Sequence, residues 1–373
     1  MDQKAAELGL PYVVNLSLGT IVASHDGRSL EEQAIDTLVG PGRAGKVAVL
    51  AAGNSSDNRS STRFRHLKGT AYVGLVGTHT LRIPPYTPNP GQGNDRVFLD
   101  VWYEGRDKLT LTVTPPGGSP VSATFGSYVD VETPQGNVFI ANLGGPSLEN
   151  GDVEALVLID DWTSTAPAAG EWTLEFKGEE IGDSGEYHAW LADDSAVGTV
   201  APWLDENADN LFLVGKPGTA LNGITVGSYA SHDPGTRYLT EWTDVHGISR
   251  IDSTAVQGDI SDFSSPGRTR DGRLKPDLAA PGERLLGAVS ADAYPGVAPS
   301  SVYRFHNFPV PVAPHSEFGF SFIYVGYRRV ACGDGLSEDG AWVELHIQVK
   351  RPGGDVPHRA GHTGHFARHD ADH

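Results

Sequence analysis

The strongest constraint on this fold is a pair of short, unbroken apolar runs with one capped helix between them. Tyr12 to Leu18 (YVVNLSL) and Lys46 to Ala52 (KVAVLAA) are rich in β-branched and aliphatic residues and do not alternate. That is the pattern of strands buried on both faces of a parallel sheet. Between them Ser29 is placed to cap a helix holding Glu31, Glu32, Ala34, Ile35 and Leu38, with acidic residues in the first turn where the helix dipole favours them. Gly40-Pro41-Gly42 ends that helix. Strand, crossover helix and strand form the unit from which parallel sheets are assembled, so the chain opens as α/β.

The periodicity then changes. From about residue 80 to 195, short alternating segments recur at Val97–Tyr103, Leu109–Thr114, Asn137–Asn142, Ala155–Ile159, Glu171–Lys177 and Tyr187–Leu191. Clusters such as Pro115-Pro116-Gly117-Gly118 and Glu149-Asn150-Gly151-Asp152 separate them. Strands without helical spacing, broken by turn residues, predict an antiparallel sandwich, here of jelly-roll type. Trp102, Trp162, Trp172 and Trp190 are expected to fill its core.

After residue 198 the α/β character returns, with a buried-type strand in Asn222–Ala230 and a Pro/Gly-rich loop, Ile260–Gly282, leading into a short apolar segment. The fold expected is α/β: an incomplete parallel sheet with helices, interrupted by an antiparallel β-sandwich. The expected boundaries are 1–78 and 198–305 for the two parts of the α/β domain, 79–197 for the insertion and 306–373 for an atypical tail. A length of 373 residues agrees with more than one core.

Composition narrows the partners. The net charge of −19 would repel the phosphates of a nucleic acid across much of the surface. An acidic surface can hold calcium, but nothing in the sequence calls for it or for any other cofactor. The single cysteine, Cys332, excludes an internal disulfide framework and a multi-cysteine metal site. No run of about 18 apolar residues is present, so no membrane-spanning helix is expected. The first nineteen residues lack the basic, apolar and cleavage segments of a signal peptide. Localisation stays open, because that argument holds only if Met1 is the true start.

Three motifs, in order, resemble the subtilase family of serine proteases. Asn15-Leu16-Ser17-Leu18-Gly19 looks like the family's substrate-binding strand, and Ala51-Ala52-Gly53-Asn54 like its oxyanion segment. Asp262-Phe263-Ser264-Ser265-Pro266-Gly267, with Asp271 to Asp277 and Ala280-Pro281-Gly282, looks like the run before its nucleophile helix. The insertion is similar to that of clostridial spore-germination subtilases. The resemblance implies a polypeptide substrate, an amide donor at Asn54 for the carbonyl oxygen, and a substrate edge at Ser17, Leu18 and Gly19. It implies a pocket wall at Ala51, Ala52 and Gly53. The chemistry agrees, since acyl transfer develops negative charge on that oxygen and a fixed donor stabilises it.

A serine hydrolase also needs a nucleophile, a base and a residue that orients the base. The family's order places its Asp and His motifs before Asn15, where Asp2 does not fit. His25 falls after the substrate strand, and His246 falls in the wrong region. The only methionine is Met1, so the usual nucleophile motif is missing, and neither Ser316 nor Ser337 sits in a small-residue turn before a helix. The expectation is a fragment of a serine endopeptidase, inactive as it stands, with a tail that leaves the reading frame near His306. The alternative is a pseudoprotease that binds or regulates without cutting. Eight of fourteen histidines lie at or after His306, but Pro357, Gly361 and Gly364 oppose the helix that a metal site there would need.

Overall fold

In the computed structural model the described residues are 2–56, 63–193, 195–205, 208–231 and 256–283, plus the backbone of six short strands in the second half of the chain. A helix, α1 (Asp2–Leu8), comes first, an element with no counterpart in the sequence reading. It is tied down by an ion pair from Lys46 to Asp2 and a Tyr12 hydroxyl bond to Asp2 of 3.0 Å. Strand β1 (Tyr12–Leu16), helix α2 (Leu30–Val39) and strand β2 (Lys46–Ala51) follow as expected. Ser29 closes a capping box: its Oγ accepts from Glu32 N–H at 3.3 Å while its own N–H donates to the Glu32 carboxylate at 3.2 Å. Ile35 of α2 packs on Ala48 and Leu50 of β2.

The next strands are β3 (His66–Thr70), β4 (Val76–Ile83), β5 (Arg96–Tyr103), β6 (Lys108–Thr114), β7 (Val121–Ala123), β8 (Ser127–Thr133) and β9 (Gly136–Asn142). They continue with β10 (Val153–Asp160), β11 (Gly170–Glu180), β12 (Glu186–Leu191) and β13 (Trp203–Leu204). They form two antiparallel sheets, ordered β3-β12-β5-β10-β9-β8 and β13-β4-β11-β6-β7. Alternation explains the packing: Leu109, Leu111 and Val113 of β6 point inward while their neighbours are half-buried. One core holds Leu81, Leu99, Val101, Leu111, Ile140, Trp172 and Phe176 from both sheets.

Three of the four tryptophans depart from the expected sandwich core. Only Trp172 belongs to it. Trp102 and Trp190 are buried on the opposite face of their sheet, clustered with Ile21 and Leu213 from outside the sandwich, and Trp162 is 70% exposed. A buried outward-facing residue means that something covers that face, and the cover is the α/β unit.

Strand β14 (Ile224–Ala230) returns the chain to the first sheet. A two-strand ladder of β15 (Trp242–Thr243) and β16 (Ser249–Arg250) precedes β17 (Leu278–Glu283). The first sheet is wholly parallel, in the order β1-β2-β14-β17. Sandwich strands therefore run from His66 to Leu204 between two parts of one parallel sheet. Pro281 lies inside β17, where an edge position spares the ladder a missing N–H. Further on, Gly319–Val325 pairs antiparallel with Trp342–Gln348 and Ala331–Cys332 with Gly335–Leu336. His246, Ser316, Ser337 and the histidines from His358 onward lie outside the described residues. No helix among the described residues is long and apolar enough to cross a membrane.

Candidate functional site

Parallel strands release their following loops at one end of a sheet, which is where open α/β sheets bind ligands. Leu16 of β1 stands opposite Leu50 of β2, so Ser17–Gly19 and Ala51–Asn54 leave that end side by side. Leu18 is 59% exposed, Gly19 and Asn54 are exposed, and Ser17, Ala51 and Gly53 are half-buried. Ala52 is different: only 2% exposed, it continues the sheet, its N–H donating to Val226 O at 3.0 Å. The Asn15 side chain donates to Ser17 Oγ at 3.0 Å and turns the chain at the strand end. Thr20 then pairs with Lys216, each N–H donating to the other's carbonyl at 3.0 Å. A Cβ on Gly19 would stand 2.8 Å from Lys216 O, so this close approach requires glycine.

The third motif lies against the same sheet end. Ser264 Oγ accepts from Ser228 N–H at 2.9 Å, and the Ser228 and Ser261 hydroxyls lie 2.8 Å apart, which lays residues 260–265 across β14. Ser265 reaches further, to β2: its N–H donates to Gly53 O at 3.0 Å and its Oγ accepts from Ser55 N–H at 3.0 Å. Ser56 N–H donates to Phe263 O at 3.3 Å. Downstream, Lys275 Nζ bonds Gly223 O at 2.9 Å and the Asp277 carboxylate at 2.6 Å, and Asp277 caps Thr225 N–H at 2.7 Å. None of these groups is placed for acid–base work; they fix backbone.

The seam between sheet and sandwich holds several buried titratable groups. His25, in the loop after β1, stacks on Trp190 at 4.1 Å and 8°. Its Nδ1 lies 2.8 Å from Val214 O and its Nε2 2.7 Å from Ile21 O. Burial holds its pKa down to about 3 against the pull of those two carbonyls. A ring enclosed in this way cannot act as a general base, which agrees with its position in the chain. His66 Nδ1 meets the Asp209 carboxylate at 2.6 Å, His66 Nε2 meets His188 Nδ1 at 2.9 Å, and His188 Nε2 meets Glu186 at 3.1 Å. Burial depresses both imidazoles, His188 to about 4, while the His188 hydrogen bond holds Glu186 down to about 2.

Arg270 crosses the seam, binding Asp26 at 3.4 Å and Asp152 more closely, with its guanidinium over the Trp102 ring. A cleft of about 260 Å³ opens here, lined by Asp26, Arg28, Asp152, Glu186, His188 and Arg270 among others. None of the sequence-derived candidates lines it. Among the described residues, no group of three or more His, Cys, Asp or Glu side chains is placed to hold a metal ion.

Residues 203–306, which include β14, the 260–267 run and β17, match the model of the subtilase family. In this stretch the chain is similar to the subtilase family. The motifs at Asn15–Gly19 and Ala51–Asn54 lie outside the matched residues. The chain's fold is similar to that of the CspB protease of Clostridium perfringens, with a TM-score of 0.54 and 23% identity over 78% of this chain and 52% of that one. The chain thus spans about half the length of that protein. A tailspike protein of bacteriophage CBA120 aligns with a TM-score of 0.17 and 12% identity over 43% of this chain and 24% of that one, too little for an argument. No curated protein matches the chain by sequence.

Proposed function

We propose that the chain binds polypeptide in the substrate cleft of a subtilisin-like serine endopeptidase, and that in this chain binding is not followed by hydrolysis. Ser17, Leu18 and Gly19 would pair with the substrate backbone as an added strand. Ala51 and Gly53 would line the pocket for the side chain before the scissile bond, with Ala52 as the buried floor behind them. The Asn54 side-chain amide would donate to the carbonyl oxygen, where charge develops in acyl transfer. The observation that carries the reading is the parallel pairing of β1 with β2, which brings the two motifs to one sheet end with Leu18, Gly19 and Asn54 exposed.

The proposed lack of turnover rests on the parts found among the described residues. Acyl transfer needs a nucleophile beside a base. The imidazoles of His25, His66, His79 and His188 are bonded to carbonyls, carboxylates, a phenol and one another. None of these bonds reaches a serine hydroxyl.

The test pairs binding with turnover. A panel of acetylated tripeptide amides varied at the last residue is titrated against the chain, and fluorescein-casein and a biotinylated fluorophosphonate probe for cleavage and serine labelling. Saturable peptide binding that weakens in Leu18→Asp, without cleavage or labelling, is the expected result. A serine labelled in stoichiometric amount, or no binding to any peptide, overturns the reading.

A further inference from the structure

We propose that Ser265, together with Asp193 from the sandwich, is a positioning residue that fixes the direction in which Asn54 presents its side chain. This deepens the proposed substrate site and rests on that reading for its use, though not for its geometry. The turn Gly53-Asn54-Ser55 is gripped on both sides of Asn54 by one residue. The Ser265 N–H donates to Gly53 O and the Ser265 Oγ accepts from Ser55 N–H, both at 3.0 Å. Ser265 is wholly buried and Ser55 is 3% exposed, so water does not compete for these bonds, while Asn54 between them is exposed.

A second grip comes from the other unit. Ser55 Oγ donates to the Asp193 carboxylate at 2.8 Å, just past the end of β12. Asp193 is held by Arg65 at 3.3 Å, and Arg65 Nη2 donates to Leu191 O at 3.3 Å and Ala192 O at 2.8 Å. The turn is therefore fixed at once to β2, to the 260–267 run and to the last strand of the six-stranded sheet. A donor acts on a developing oxyanion only when held within a few tenths of an ångström of its working place, and exposed Asn side chains do not hold themselves there. The sandwich thereby contributes to the geometry of the sheet end without lining it.

The experiment separates positioning from plain structural support. The probes are one tripeptide amide with a planar carbonyl and its unreactive phosphonate monoester, whose tetrahedral anionic oxygen stands for the oxyanion. Affinities are measured for the wild type, Asn54→Ala, Ser265→Ala, Asp193→Ala and the two double variants with Asn54→Ala. The expected result is a loss of roughly tenfold or more for the phosphonate in Ser265→Ala and a smaller loss in Asp193→Ala. Amide affinity should change less than twofold, and neither loss should appear on the Asn54→Ala background. Equal losses for both probes, or losses that persist without Asn54, overturn the proposal.

Asp193 is exposed, so its variant does not threaten folding if Ser265→Ala does. The side-chain amide signal of Asn54 in nuclear magnetic resonance is the second readout. Increased mobility on both single substitutions supports positioning even if neither probe binds, a result that would sink only the proposed function. An unchanged signal overturns positioning whatever the probes do.

Discussion

The imidazole of His25 lies flat on the indole of Trp190, 4.1 Å between centroids and 8° from parallel. His25 belongs to the loop after the first parallel strand and Trp190 to the sandwich, so this stack fastens the two units together. The backbone of His25 sits at φ 55°, a conformation that a bulky residue keeps only where its surroundings hold it. Here Ile21 O and Val214 O bracket the ring, and Arg270 N–H donates to His25 O at 2.7 Å.

Trp190→Ala should cost about 3–5 kcal/mol, the range for removing a large buried aromatic. Trp190 is fully buried, stacks on His25 and His188, and donates from Nε1 to Phe212 O at 2.9 Å. Urea unfolding followed by circular dichroism and by limited proteolysis checks it. The two signals should separate in the variant, because the sandwich keeps its own core while its hold on the α/β unit is lost. Coincident transitions at an unchanged midpoint would refute the fastening role.

Acid should weaken the seam, and the sign follows from the histidines. Each takes a proton near 6.5 when unfolded, but in the folded chain His25 resists until about 3 and His188 until about 4. Between those values the unfolded state binds more protons, so stability falls as pH drops from about 6.5, approaching about 1.4 kcal/mol per pH unit for each group. Asp100 and Glu154 act in the opposite sense: burial raises both carboxyls, so they favour the folded state at low pH. His188→Phe keeps a ring on Trp190 and removes one titration. Its urea midpoint should fall less steeply than that of the wild type between pH 6.5 and 4.5.

Arg270→Met tests the ion pairs that cross the seam. The arginine side chain is 9% exposed and its partners Asp26 and Asp152 are 7% and 24% exposed. Methionine preserves bulk over Trp102 but leaves two shielded carboxylates without their cation, at a cost of about 3–5 kcal/mol. The loss measured by denaturation at pH 7 should shrink at pH 4, because burial already raises the Asp152 carboxyl and it takes a proton more readily once its cation is gone. A loss of the same size at both values would place its origin in packing instead of charge.

Much of this architecture is written in local periodicity. The unbroken runs at Tyr12–Leu18 and Lys46–Ala52 became neighbouring parallel strands, and Ser29 with Glu32 marked the helix start, because caps and buried strands are local chemistry. Strands β3, β4, β7, β8 and β13 escaped notice: β3, β7 and β13 are five residues or fewer, and β4 (VGTHTLRI) and β8 (SYVDVET) carry more polar and small residues than apolar ones. Trp102 and Trp190 were assigned to the wrong core since alternation separates two faces but does not reveal that both are covered. The grip of Ser265 on Ser55 joins residues 210 positions apart, and Asp193 joins Ser55 across 138. No spacing rule carries such contacts; only the folded sheet brings them together.

The last prediction isolates the contact between Gly53 and Ser265. Gly53 adopts φ +103°, and a Cβ there would lie 2.9 Å from Ser265 Oγ, with Ser265 Cβ next at 3.7 Å. Gly53→Ala therefore meets two costs, a backbone conformation that alanine resists and a collision with one oxygen. Gly42 supplies the control, since its φ is +82° and nothing lies within 4 Å of its Cβ position. Gly42→Ala should cost about 1 kcal/mol and Gly53→Ala clearly more. Removing the oxygen removes the collision, so on a Ser265→Ala background the added cost of Gly53→Ala should fall toward that of Gly42→Ala. Chemical denaturation of the four variants and the wild type decides it. If Gly53→Ala costs the same with and without the Ser265 hydroxyl, the two residues do not touch as described and the grip on Asn54 fails with them.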